Sequence, residues 1–203
     1  MRFRLLLAGS VLALVTPLRA QSAAPRTPAE RRALYEQHKG DFDYLLGDWE
    51  FTAVSRQYGT FGGRWSAVRL AVGGHVYDEY RILGDSGSTI YVTTTLRVYN
   101  SALDRWELVS LDQGSGLVDA GTGRLAGGEM HIEQRFGVGG PTPSLWRIRY
   151  YNIGPDHFSW NADRSTDEGH TWTRNFQTIE AHRIGPARTM PPLTPPAAGA
   201  ATR

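Results

Sequence analysis

The chain has 203 residues, of which 40% are hydrophobic, 11% aromatic and 21% charged, enough apolar and aromatic content to exclude a mostly disordered protein. The length suits one well-buried domain and is short for two. There is no cysteine, which excludes a disulfide scaffold, a Cys-ligated zinc or iron–sulfur site and a cysteine nucleophile.

Positions 1–20 read as a secretory signal peptide, with Arg2 and Arg4 in a basic start and an apolar run from Leu5 to Val15. Leu18-Arg19-Ala20 then sets a small residue before a cut ahead of Gln21. The run is about 11 residues, well under the roughly 20 needed to span a bilayer, so no integral membrane segment is expected after cleavage. Taking Arg2, Arg4 and Arg19 from the 22 basic residues leaves 19 against 20 acidic ones, a net charge of −1. No basic surplus remains to neutralise phosphates, and nucleic acid is not an expected partner. The expected address is periplasmic or secreted.

A short helix is predicted next in the N-terminal segment 21–40. Thr27 is its N-cap, Pro28 its first residue and Glu30 the partner in a capping box, and it runs through His38 to a left-handed C-cap at Gly40. From there the hydrophobic period is two. Ile90, Val92, Thr94, Leu96 and Val98 alternate with Tyr91, Thr93, Thr95, Arg97 and Tyr99, while Gly- and Asn-containing turns separate such runs. The pattern predicts about nine or ten strands, at 49–57, 64–72, 75–83, 89–99, 105–111, 117–120, 129–136, 145–153, 157–163 and 171–183. No helix interrupts them, which excludes parallel βαβ connections and leaves an antiparallel meander. The absence of long Greek-key crossovers favours an all-β, up-and-down β-barrel over a sandwich. Residues 185–203 hold five of the 11 prolines and an Ala-rich finish, the composition of a disordered or extended tail.

The most informative segment is Phe42-Asp43-Tyr44-Leu45-Leu46-Gly47-Asp48-Trp49-Glu50-Phe51. A short apolar turn can plug one end of a barrel, Gly47 permits a tight approach to the first strand, and Trp49 can fill the floor of the core. This resembles the G-x-W opening of the lipocalins and the wider calycin superfamily. The resemblance implies an arginine near the end of the last strand lying across that tryptophan, and Arg183 is in a suitable place. More specifically, residues 41–184 resemble an uncharacterised bacterial secreted family of lipocalin-like domains. Its members open with F-D-x-L-L-G-x-W and carry a Ser-x-Asp-x-Gly-x-Thr-Trp hairpin before an aromatic final strand. Here that hairpin is Ser165-Thr166-Asp167-Glu168-Gly169-His170-Thr171-Trp172. It is similar to the Asp-box of sialidases, in which Asp167, Gly169 and Trp172 would be structural; a propeller would repeat it in successive blades, and here it occurs once.

No two histidines have strand or helical metal-ligand spacing, and His75 and His131 read as outward, so no metal is expected. A haem-binding calycin of the nitrobindin type opens G-x-W-x-G-x-G; Gly47 to Thr52 lacks the later glycines, and no cofactor is expected. Gln113-Gly114-Ser115-Gly116 is not a nucleophile elbow, and the remaining glycine clusters are turns.

Polar residues on the apolar faces are the last clue: Asp78 between Val76 and Tyr80, Gln134 between Ile132 and Phe136, Arg174 between Trp172 and Phe176. Burying such groups without partners costs several kcal/mol. Three arrangements answer this: a hydrated cavity in which Arg174 receives a polar head, an Asp78–Arg174 pair inside a filled barrel, or a bulge that turns the groups outward. The expected function is interior binding of a small, largely apolar ligand. Trp106, Trp146, Tyr150, Trp160 and Phe176 are its expected wall, Arg174 its anchor and Asp78 a further polar contact. The rivals are a barrel isomerase, cyclase or hydrolase using Asp78 as acid or base, and an interaction module whose barrel is filled by side chains.

Overall fold

The structure, a computed structural model, describes residues 25–194, so the leader lies outside the described residues. Helix α1 (Pro28–His38) is followed by a single 3-10 turn, Asp43–Leu45, and eleven strands. These are β1 (Gly47–Ser55), β2 (Gly59–Leu70), β3 (Val76–Leu83), β4 (Thr89–Asn100), β5 (Arg105–Asp112), β6 (Gly116–Ala126), β7 (Glu129–Phe136), β8 (Ser144–Tyr151), β9 (His157–Ser165), β10 (Thr173–Gly185) and β11 (Arg188–Met190). Each of β1 to β10 pairs antiparallel with its neighbours in the chain, and β1 bonds to both β2 and β10. The meander therefore closes into a ten-strand up-and-down barrel with no free edge among these strands.

One end of the barrel is shut. The capping box forms as the residue types require: Glu30 N–H donates to Thr27 Oγ1 at 3.3 Å and Thr27 N–H to Glu30 Oε2 at 2.7 Å. The helix exit differs from expectation: Lys39 caps it in right-handed conformation, and Asp41 and Asp43 N–H groups turn the chain by bonding to His38 and Gly40 carbonyls. That turn drives Phe42, Leu45 and Leu46 into the barrel beneath the fully buried Trp49. The Trp49 indole donates to the Leu45 carbonyl at 2.8 Å, and the Arg183 guanidinium lies 4.1 Å over its ring. Arg183 also donates to the carbonyls of Tyr44, Leu46 and Pro155, tying turn, first strand and last strand together. Gly47 sits at φ +113°, and a Cβ there would lie 2.5 Å from that guanidinium, so only glycine fits.

Two elements depart from the sequence pattern. β6 continues to Ala126 instead of stopping near 120, because Gly121 and Gly123 lie inside the barrel with their backbones against β7. The tail does not leave the fold at Gly185: Arg188 to Met190 pair parallel with Val68 to Leu70, taking over the edge of β2 beyond the start of β1. Arg188 anchors that strand by donating to both oxygens of Asp48, which holds the Asp48 carboxyl below its ordinary value. Residues 195–203 lie outside the described residues.

Replacing Arg183 by Met removes the contact over Trp49 and leaves three carbonyls without their donor. The expected loss is about 2–3 kcal/mol of unfolding free energy, read as a lower urea midpoint with unchanged slope.

Candidate functional site: an interior cavity

The half of the barrel away from the plug is not filled. A cavity of about 590 Å³ runs from Trp65, Arg97 and Tyr150 in mid-barrel to Tyr58 in the β1–β2 turn and Ile90 at the start of β4. Tyr58 and Ile90 are two-thirds exposed and mark the mouth.

Its lining has two sides. Trp65, Tyr80, Trp146, Tyr150 and Trp160 build an aromatic wall, with Ile148 and Ile179 between them. Tyr80 stacks on Phe51 at 4.7 Å and meets Trp65 edge-on, and Trp146 packs at 4.5 Å from Phe136. Opposite runs a polar stripe across adjacent strands: Asp78 on β3, Thr95 and Arg97 on β4, Ser110 on β5, Asp119 on β6 and Gln134 on β7. The registers bring Asp78 beside Thr95, Thr95 beside Ser110, and Ser110 beside Asp119. All six are buried.

Most of the stripe satisfies itself. Arg97 Nε donates to Asp78 Oδ2 at 2.6 Å and its NH2 to Oδ1 at 3.2 Å, while the Trp65 indole donates to Oδ1 at 2.8 Å. Burial opposes the Arg97 charge, but the Asp78 carboxylate beside it more than restores it. Thr95 and Ser110 hydroxyls lie 3.0 Å apart, and Gln134 donates to Asp119. Burial pushes the Asp119 carboxyl up, partly offset by hydrogen bonds from Ser110 and Gln134. Burial likewise raises the Tyr80 hydroxyl and takes the Tyr150 hydroxyl to about 12, so both stay protonated at neutral pH.

Of the residues expected to meet a ligand, Trp146, Tyr150, Trp160 and Asp78 line this cavity. Three do not. Trp106 is buried under the plug, its indole donating to Asp41 at 3.1 Å and its ring edge-on to Phe42 at 4.9 Å. Phe176 is buried behind Trp146, edge-on at 5.2 Å, with Arg164 over its other face. Arg174 is outside: the β9–β10 register breaks between Thr173 and Gln177, Asn175 takes φ +45°, and the arginine pairs with Asp163 on the surface. That bulge is the physical reason the alternation failed, and Asp78 takes Arg97 as partner in place of Arg174. The sequence reading also overlooked Asp119, because a strand ended at 120 hides which of its residues point in. Asp78 Oδ1 accepts from Trp65 and Arg97 and Oδ2 from Arg97, so this carboxylate is held between two structural partners.

The hairpin after β9 folds around Asp167, which accepts from Thr171 N–H at 2.9 Å, Thr171 Oγ1 at 2.6 Å and Ser165 Oγ at 2.7 Å. Trp172 donates to the Gly169 carbonyl and lies under the Arg147 guanidinium. No histidine lines the cavity, and among the described residues no three His, Asp or Glu side chains form a metal-holding group.

The closed meander, its plug, and Trp49 beneath Arg183 define a ten-strand up-and-down barrel with a lipocalin-like fold. Rv2717c from M. tuberculosis has this fold: 14% identity over 74% of this chain and 97% of that chain, with a TM-score of 0.50, a likeness of fold alone. A weaker likeness joins the S-type phycobiliprotein lyase CPES from Guillardia theta, at 11% identity over 77% and 96% of the two chains and a TM-score of 0.49. A redesigned β-barrel, mFAP1, bound to DFHBI, matches at 12% identity over 70% and 96%, with a TM-score of 0.37. No protein-family model and no curated protein matches the chain.

Two variants test the polar architecture. Arg97→Met strands the buried Asp78 carboxylate and is expected to cost about 3–5 kcal/mol; the double variant Asp78→Asn/Arg97→Met, which keeps an acceptor for Trp65, recovers most of that in urea denaturation. At the hairpin, its hydrogen bonds lower the Asp167 carboxyl from the ordinary 3.8 to about 2. Its stabilisation is therefore full above the ordinary value and lost as pH falls through about 2, so the gap in Tm between wild type and Asp167→Ala should narrow over that window.

Proposed function

We propose that this protein binds one small, largely apolar molecule inside its barrel and does so after export. The observation that carries the reading is the cavity of about 590 Å³, open at one end, with an aromatic wall facing a stripe of polar groups. That size and chemistry are those of pockets for small ligands, which combine apolar walls with a few orienting polar atoms. Trp146, Tyr150 and Trp160 are the proposed contacts from the wall, joined by Trp65 and Tyr80. A barrel acting only through its outer surface needs no such lumen. Export rests on the leader pattern of positions 1–20 and supports a periplasmic or secreted address.

The neutral dye N-phenyl-1-naphthylamine tests binding. It should be taken up in a 1:1 ratio, with energy transfer from the cavity tryptophans, and Thr93→Trp, which fills the lumen near its mouth, should lower its affinity at least tenfold. Absence of dye uptake, together with no co-purified small molecule in native mass spectrometry, overturns the reading. For the export part, the intact mass of protein from a periplasmic extract should correspond to a chain beginning at Gln21.

A further inference from the structure

We propose that the preferred ligand of this cavity is an organic cation, an apolar body carrying a protonated amine, with the amine seated at Asp119. The inference rests on the interior-binding reading and names the chemistry of the ligand's head. The described lining contains two carboxylates, Asp78 and Asp119, and one basic side chain, Arg97. Arg97 is spent on Asp78, meeting both of its oxygens. Asp119 accepts hydrogen bonds from the neutral donors Gln134 and Ser110, feels the Arg97 charge without a hydrogen bond or ion pair to it, and is 3% exposed. A buried carboxylate without a cation is costly, and a ligand ammonium repays that cost while an anionic ligand adds to it.

The surroundings suit a cation. Phe136 stands opposite Asp119 in the β6–β7 register, and Trp146 packs on Phe136. An ammonium held at Asp119 thus sits beside aromatic residues, whose rings attract cations over neutral groups. Tyr80, whose ring lines the same cavity, carries a buried hydroxyl without a hydrogen-bond partner. An all-hydrocarbon ligand leaves the Asp119 charge without a counter-charge, whereas an ammonium supplies one together with three N–H donors.

The test compares 2-naphthylethylamine, 2-naphthylethanol and 2-naphthylacetate, which share a body and differ in head, by isothermal titration calorimetry on the full chain at pH 7.5. The amine should bind at least tenfold more tightly than the alcohol, and the acetate most weakly. Asp119→Asn, which keeps side-chain shape and removes the charge, should bring the amine to within about twofold of the alcohol. In the wild type, acidification should weaken the amine and not the alcohol as Asp119 gains its proton; the other ionisable groups around it are Asp78 on β3 and Arg97 and Tyr91 on β4. This measurement needs no variant. Equal affinities for amine and alcohol, or a preference for the acetate, overturn the cation assignment and leave interior binding standing. Failure of all three probes and of the neutral dye overturns both.

Discussion

A sheet of ten strands closed on itself encloses more space than its own inward side chains can fill, because barrel width grows with strand number and about eight strands already make a lumen that side chains just occupy. Everything else in this molecule is a response to that constraint. At one end the surplus is taken up by the chain before β1: Phe42, Leu45 and Leu46 enter as a plug, and Trp49 and Trp106 pack onto it. Arg183 then binds plug to barrel by three backbone carbonyls and one aromatic face. At the other end none of the described residues enters, and the unfilled volume is the cavity.

The position of the polar stripe follows from the same division. The Asp78–Arg97 pair lies where plug meets cavity, with Arg97 4.9 Å from the Phe42 ring and Trp65 closing the network. A fully paired buried network of this kind fixes its members in place, and here it sets a rigid floor under the open half. Above it, Thr95, Ser110, Asp119 and Gln134 bond mainly to one another. The excess of one carboxylate, two against a single guanidinium, is therefore local to Asp119, and the preference proposed for a cation is a property of where closure puts that residue.

How far the amino-acid pattern reaches can be judged from particular residues. Asp78 and Gln134 stand out among apolar neighbours of the same period and are found inside. Arg174 stands out equally and is outside, since a bulge at Asn175 breaks the period between Trp172 and Phe176. β4 misleads in the opposite sense. Its aliphatic residues Leu96 and Val98 face outward and its polar set Thr93, Thr95 and Arg97 faces in, because the lumen is partly polar and the hydrophobic rule no longer picks the inner face. Asp119 was hidden by Gly121 and Gly123, which read as a turn when taken alone and serve in the structure as positions where β6 runs close against β7.

Local patterns by themselves thus pointed to the antiparallel meander, the N-capped helix, the plug with Trp49 and the Asp167 hairpin and favoured closure into a barrel, while the arginine across Trp49 was implied by the resemblance to lipocalins. Each of these depends on periodicity, on turn chemistry, or on a motif whose partner has a defined place in the strand order. Only the closed structure decided which face of β4 looks inward, that Asp78 takes Arg97, and that Asp119 is left without a cation. Those facts depend on bulges and on neighbours across several strands. Hydrogen-bond register and barrel closure fix such neighbours, and no stretch of sequence carries that information alone.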